Sequence, residues 1–264
     1  MYLDPVAFRI FGFSVYWYAL AYITGILLGL CCMLKVNVRL GAPFSSCTLE
    51  SFVNWGIIGI IVGGRLGHIF YEPEVFLENP LHIFAIRQGG MSFHGGFLGV
   101  LIAAWGFSQK KHLCFWRFMD ILAVATPIGL FLGRLANFIN GELYGQPTSL
   151  PWGVIFPKGG AEARHPSQLY EAFFEGIVLW SILWYTTRTQ GSALPPGRLA
   201  GIFALGYGLI RIVLEEVRAP DSAFNEAFFD ILHVTLGQAL SFPLLVLGLW
   251  LLLRKGACLR SKRR

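Results

Sequence analysis

Charge is what this chain lacks most. Asp, Glu, Lys and Arg make up 14% of its 264 residues, against 55% hydrophobic residues and a mean hydropathy of +0.59. That is too little charge to coat a soluble domain of this length, and it predicts a polytopic membrane protein. Cysteine is scarce and unpatterned. Cys31, Cys32, Cys47, Cys114 and Cys258 form no CxxC pair and no His/Cys cluster at metal-ligand spacing. No glycine-rich phosphate loop or dinucleotide fingerprint is present either. Neither a metal nor a soluble cofactor is therefore expected. The start has no basic leader region, since Asp4 stands there and further apolar runs follow the first, so no cleavable signal peptide is expected. The net charge of +6 comes from basic residues gathered in short loops. Nucleic acid would need a basic stripe, so it is not an expected partner.

What the chain does have is long apolar runs. Seven spans are predicted, over residues 15–34, 52–71, 91–107, 118–139, 168–185, 199–214 and 236–253. The expected fold class is an all-α polytopic membrane protein with seven transmembrane helices, one membrane-embedded domain over 1–264. The connection 142–167 holds Pro147, Pro151, Pro157, Gly159, Gly160 and Pro166, which reads as a small external head or lid between spans four and five. Residues 254–264 form a basic tail. Basic residues such as Lys35, Arg39, Lys110, Lys111, Arg188 and Arg198 fall in alternate connections. Basic loops stay cytoplasmic, which puts the N-terminus outside and the C-terminus inside. The cysteines then lie at or near the reducing side, and no disulfide is expected.

The few polar residues inside these spans are patterned. The stretch GRLANFINGELYG, from Gly133 to Gly145, ends a span with Arg134 and Asn137 on one helix face, then Glu142 past a helix-stopping Gly141. Gln168, Glu171 and Glu175 share a face. Tyr207, Arg211, Glu215 and Arg218 form a stripe of phenol, cation, anion and cation. Span two carries closely spaced glycines suited to tight helix packing, plus Arg65 and His68. His94 sits among Gly89, Gly90, Gly95, Gly96 and Gly99. Ionisable groups at membrane depth are costly and mark function more often than structure. In the predicted orientation they gather toward the outer halves of their spans. Arginines grouped there suit a phosphate, which guanidinium grips with a two-pronged fork. With no nucleotide fingerprint, the phosphate donor of choice is a phospholipid.

Four runs carry a resemblance: GRLANFINGELYG, FHGGFLG around His94, HPSQLYEAFFEG around Glu171, and GLIRIVLEEVRAPD around Arg211. In this order, from Trp17 to about Asp221, they resemble the prolipoprotein diacylglyceryl transferases. The resemblance implies an enzyme of the bacterial cytoplasmic membrane. Such an enzyme moves the diacylglyceryl group of phosphatidylglycerol to the lipobox cysteine thiol of a preprolipoprotein, making a thioether and releasing glycerol 1-phosphate. It also implies functional positions at Tyr18, His94, Arg134, Asn137, Glu142, Gly145, Tyr207, Arg211, Glu215 and Arg218.

The chemistry then assigns expected roles. Arg134 and Arg211 clamp the phosphate, and Asn137 adds a hydrogen bond. His94 takes the thiol proton. Glu142, Glu215 and Arg218 position the arginines, while Tyr18 and Tyr207 orient the headgroup or leaving glycerol. The expected partners are the lipid and the membrane-tethered signal peptide, with the enzyme a monomer. Two other classes compete. A transporter would need polar residues through the full depth of its spans. A non-catalytic assembly factor would lose stability, and not turnover, on substitution.

Overall fold

The computed structural model describes residues 4–71, 81, 83, 90–219 and 235–254, and these are mostly helical. Most of the connection after the second span, the turn at Pro220, the segment 224–233 and the tail 255–264 lie outside the described residues. The chain forms two compact units: residues up to Gly41 together with those from Asp120 onward, and Ala42–Met119.

The first unit opens with a β-hairpin ahead of the first predicted span. β1 (Val6–Ile10) pairs antiparallel with β2 (Phe13–Tyr16) around the two-residue turn Phe11-Gly12. Both turn residues have positive φ, 48° and 83°, the geometry that matches the twist of a tight hairpin. Phe11 is an unusual residue for that turn, which hides it from a reading based on Asn-Gly or Gly-Gly signals. The hairpin claims Val15 and Tyr16, so α1 begins later than expected and spans Trp17–Arg39.

The unit continues with α4 (Phe115–Asn140), whose first turn belongs to the other unit. Next come β3 (Val154–Ile155), a 3₁₀ turn at Pro157–Gly159 and β4 (Ala163–Arg164). These make a small packed cap on the helix ends. Tyr144 stacks on Phe156 at 5.3 Å, and the Arg164 guanidinium lies 5.2 Å over the Tyr144 ring. The fifth predicted run is helical but compound. It comprises α5 (Ser167–Glu171), a π-helix (Ala172–Val178) and α6 (Leu179–Gln190). After it come α7 (Arg198–Glu215) and α8 (Leu236–Leu253).

One buried carboxylate in this unit was not singled out from the sequence. Asp120, fully buried within α4, accepts from the Gly197 N–H at 2.8 Å and the Ala200 N–H at 3.0 Å. It caps the N-terminus of α7 from another helix, satisfying donors that would otherwise be orphaned and complementing the helix dipole. The same end of α7 is also tied by Arg254, just past α8, which donates to the Pro196 carbonyl at 2.8 Å.

The second unit is built on one glycine seam. α2 (Ser46–Tyr71) and α3 (Phe93–Lys110) cross with Gly59, Gly63 and Gly67 against Gly95 and Gly99. A Cβ added at Gly63 would sit 2.9 Å from the Gly99 Cα, and one at Gly67 would sit 2.8 Å from the Gly95 Cα. The two backbones touch, which is how apolar helices gain packing energy where the hydrophobic effect is weak. Arg65 is a structural residue here. It is 6% exposed and donates to the Ile83 and Gly90 carbonyls at 3.1 and 2.8 Å.

Among the described residues, three helices are long and apolar enough to cross a membrane: Trp17–Arg39, Ser46–Ile69 and Phe115–Asn140. Gly237–Leu253 is a shorter apolar helix. Cys31, Cys32 and Cys47 are free thiols. Cys114 is disulfide-bonded, which corrects the expectation of a chain without disulfides. That expectation rested on compartment and loop charge, neither of which measures how close two thiols come.

The glycine seam yields a stability prediction. Gly63→Val should separate α2 from α3 and destabilise the protein in detergent by about 1–3 kcal/mol. Gly129→Ala, with nothing within 4 Å of an added Cβ, should leave the thermal midpoint nearly unchanged. Equal midpoints for the two variants would contradict the seam.

Candidate active site

The first unit places most of the predicted polar residues at one level, and the reasons are local. α4 ends where expected: Gly141 turns into the left-handed region at φ 63°, and the Glu142 N–H returns to the Asn137 carbonyl at 3.0 Å. That exposes the last turns of α4, with Arg134 and the buried Asn137, to the neighbouring helices. The π-helix packs tightly on α4 at Gly176, where an added Cβ would sit 2.7 Å from the Phe131 Cβ. Glu171 and Glu175 are thereby carried up against Arg134.

Three guanidiniums and three carboxylates meet there. Glu171, with no exposed surface, is the hub. It pairs with Arg134 at 3.1 Å, Arg211 at 2.8 Å and Arg218 at 2.5 Å. Glu175, equally buried, accepts from Arg134 Nε and Nη2, both at 3.3 Å, and lies 3.7 Å from Arg211 Nη1. Glu215 pairs with Arg211 at 2.9 Å, one turn away on α7, and with Arg218 at 3.6 Å. The arginine side chains are only 7–12% exposed. Charges removed from water this far persist only when paired, and here three positive and three negative groups balance.

Arg218 lies beyond the end of α7, so the expected stripe is completed by a turn and a backbone bridge instead of one continuous helix. Arg218 bridges to Gly145, whose neighbour Gln146 donates to the Val217 carbonyl at 3.0 Å. Gly145 itself donates to the His165 carbonyl at 2.9 Å, and a Cβ on it would sit 2.6 Å from the His165 Cβ. Only glycine fits between these strands. This close fit lies at the backbone bridge to Arg218.

Tyr207 is buried, stacks on Phe203 at 5.7 Å, and interacts electrostatically with Glu175, Arg211 and Arg134. Tyr18 packs its ring against Tyr22 at 5.0 Å and is within electrostatic reach of Glu142 and Arg134. Glu142 forms a different pair. Its carboxylate, 45% exposed, pairs with Lys158 at 3.6 Å, while its backbone carbonyl accepts from Gln168 at 2.6 Å. The turn at Gly141 swings it off the face that carries Arg134, so the arginines are held by Glu171, Glu175 and Glu215. A cavity of about 260 Å³ lies beside it, lined by Tyr16, Phe138, Glu142, Phe156 and Lys158. His94 belongs to the other unit, exposed in the first turn of α3, behind the N-cap Ser92 that accepts from Gly95 at 3.2 Å. Among the described residues, no group of three or more His, Cys, Asp or Glu is arranged to hold a metal ion.

A family model described as prolipoprotein diacylglyceryl transferase matches residues 5–254. The chain belongs to the prolipoprotein diacylglyceryl transferase family. Every cluster residue from Arg134 to Arg218 falls inside the matched range. Relatives carry the name phosphatidylglycerol–prolipoprotein diacylglyceryl transferase. One from Zymomonas mobilis is 47% identical over 261 residues, covering 95% of this chain and 90% of the relative. One from Rickettsia bellii is 47% identical over 253 residues, 96% of this chain and 95% of the relative. A third, from Rickettsia conorii, is 47% identical over 251 residues, 95% and 96% of the two chains.

Glu171 and Glu175 stand outside the ten positions that the family resemblance supplied. Their signal was in the sequence as the stripe Gln168, Glu171, Glu175, all of which prove fully buried. The hub makes a measurable demand on stability. Glu171→Gln should cost about 3–5 kcal/mol, because it leaves buried guanidiniums short of a counter-charge. Glu142→Gln should cost under about 1 kcal/mol, as for an exposed pair. Denaturation in detergent reads both, and equal midpoints would remove Glu171 from the hub.

Proposed function

We propose that this chain transfers the diacylglyceryl group of phosphatidylglycerol to the lipobox cysteine thiol of a preprolipoprotein. This is the first step of lipoprotein maturation. The observation that carries the proposal is the shared carboxylate: the Arg134 and Arg211 guanidiniums converge on the same Glu171, with ion-pair distances of 3.1 and 2.8 Å. Two guanidiniums that converge on one carboxylate can converge on one phosphate, which has the same forked acceptor geometry.

The thiolate sulfur attacks a glycerol carbon of the lipid. A C–S bond forms, the C–O bond to phosphate breaks, and its electron pair stays on the departing glycerol 1-phosphate. Arg134 and Arg211 hold the phosphate and absorb the charge that develops on it, with Asn137 adding a hydrogen bond. Tyr18 and Tyr207 orient the headgroup. Glu215 and Arg218 keep Arg211 aligned, and Gly145 keeps Arg218 seated. His94 is assigned the thiol proton from its motif, directly or through water. Glu142 is assigned to the lipid- or peptide-binding edge beside Tyr18.

The enzyme is a multi-pass protein of the bacterial cytoplasmic membrane. Seven spans, an outer N-terminus, an external head at 142–167 and an inner C-terminus fit the charge of the loops. The substrates reach a monomer from within the bilayer.

The test uses purified protein in phosphatidylglycerol-containing micelles with a lipobox peptide. The peptide should gain one diacylglyceryl unit as glycerol phosphate appears. Folded Arg134→Ala and Arg211→Ala should each lose about 100-fold or more in kcat, the size expected for a lost donor at developing charge. Wild-type turnover in either would sink the clamp. For the proton acceptor, His94→Gln should lower kcat and flatten the pH profile between about 5.5 and 7.5. An active variant with the wild-type profile would exclude His94.

A further inference from the structure

We infer that Glu175 is a built-in stand-in for the lipid phosphate, holding the clamp's guanidiniums until substrate displaces it. The inference rests on the clamp reading of Arg134 and Arg211 and adds a competitor to it.

The two buried glutamates are held very differently. Glu171 pairs with its three arginines at 2.5 to 3.1 Å. Among the described residues Glu175 forms ion pairs with the two clamp arginines alone, at 3.3 Å and 3.7 Å. Each carboxylate has one oxygen with no hydrogen-bond partner among the described residues, but Glu171 Oε2 still has Arg134 Nη1 at 3.1 Å, whereas Glu175 Oε1 has Arg211 Nη1 only at 3.7 Å. Glu175 Oε2 takes both Nε and Nη2 of Arg134, so it occupies the fork that a phosphate oxygen would use. Glu215 is anchored elsewhere, by Arg211 one turn earlier and by Arg218. The carboxylate that covers the clamp is thus also the least firmly held.

Charge balance gives the same answer. With three arginines and three glutamates the cluster is neutral. A phosphodiester brings one negative charge, so one carboxylate must withdraw from the guanidiniums or take up a proton as the lipid binds. Glu171 cannot withdraw without releasing three arginines at once. Glu175 sits in the π-helical stretch Ala172–Val178, an irregular element whose hydrogen-bond register is less fixed than that of an α-helix. After transfer the phosphate leaves as a monoester with more negative charge. Glu175 returning to Arg134 and Arg211 then competes directly with the product and speeds its release.

The experiment measures transfer by the full chain in vesicles with graded mole fractions of phosphatidylglycerol, with added glycerol 1-phosphate as inhibitor. Glu175→Gln keeps the shape and removes the competing charge. It should lower KM for the lipid roughly tenfold and strengthen product inhibition by a similar factor, without raising kcat. A glutamate that only props up the helices would raise KM or leave it unchanged, and either result in folded protein overturns the inference. Should the Gln variant fail to fold, Glu175→Asp keeps the charge but draws it back by one methylene. Its KM should fall by a smaller factor, and an unchanged or raised KM overturns the inference equally. If Arg134→Ala and Arg211→Ala abolish transfer while neither Glu175 variant lowers KM, the clamp stands and this inference alone falls. If the arginine variants turn over normally, the clamp itself is wrong.

Discussion

Everything in the larger unit depends on keeping three guanidiniums charged in a place with little water. Arg134, Arg211 and Arg218 are nearly buried, and guanidinium does not discharge to escape the cost. The solution is Glu171, one carboxylate shared by all three, with Glu175 and Glu215 completing the balance. A shared anion forces the cations to face one another, which mutual repulsion would otherwise forbid. In the proposed mechanism the same convergence faces a phosphate. An element whose stability requires convergence and a chemistry that requires convergence are served by the same atoms.

The rest of the unit sets where those atoms go. Gly176 lets the π-helix close on Phe131 of α4, which brings Glu175 within reach of Arg134. Gly145 admits the strand that carries Arg218. Asp120 fixes the N-terminus of α7 from within α4, some 14 residues before Arg134 in the chain. With α7 anchored at one end by Asp120 and at the other by the Glu215–Arg211–Glu171 chain, Arg211 has little freedom. Rigid placement of a donor is what lets it act on developing charge without reorganising.

Much of this was legible in the sequence, because apolar runs and i, i+4 stripes report directly on helices and their faces. All the helices of the predicted runs exist. Their ends moved where a competing local structure won, as at the Phe11-Gly12 hairpin that took Val15 and Tyr16. The site was legible where a polar residue interrupts an apolar run, as at Arg134 and Arg211. Partnership was less so. Glu142 stands in the longest motif and looked like the arginines' counter-ion, yet a positive-φ glycine turns it toward Lys158. Glu175 had only its place in a stripe to recommend it, since choosing among several glutamates needs the distances between helices. Asp120 was not singled out, because its partners are backbone N–H groups 77 and 80 residues away.

The central claim is that the arginine–glutamate cluster is where the lipid phosphate binds. The most direct test is photo-crosslinking with a phosphatidylglycerol analogue carrying a diazirine on its headgroup glycerol, followed by peptide mapping. The account predicts label on the segments around Arg134–Gly145 and Tyr207–Arg218, competed away by unlabelled phosphatidylglycerol. Competable label confined to other segments, in protein that still transfers diacylglyceryl, would contradict it.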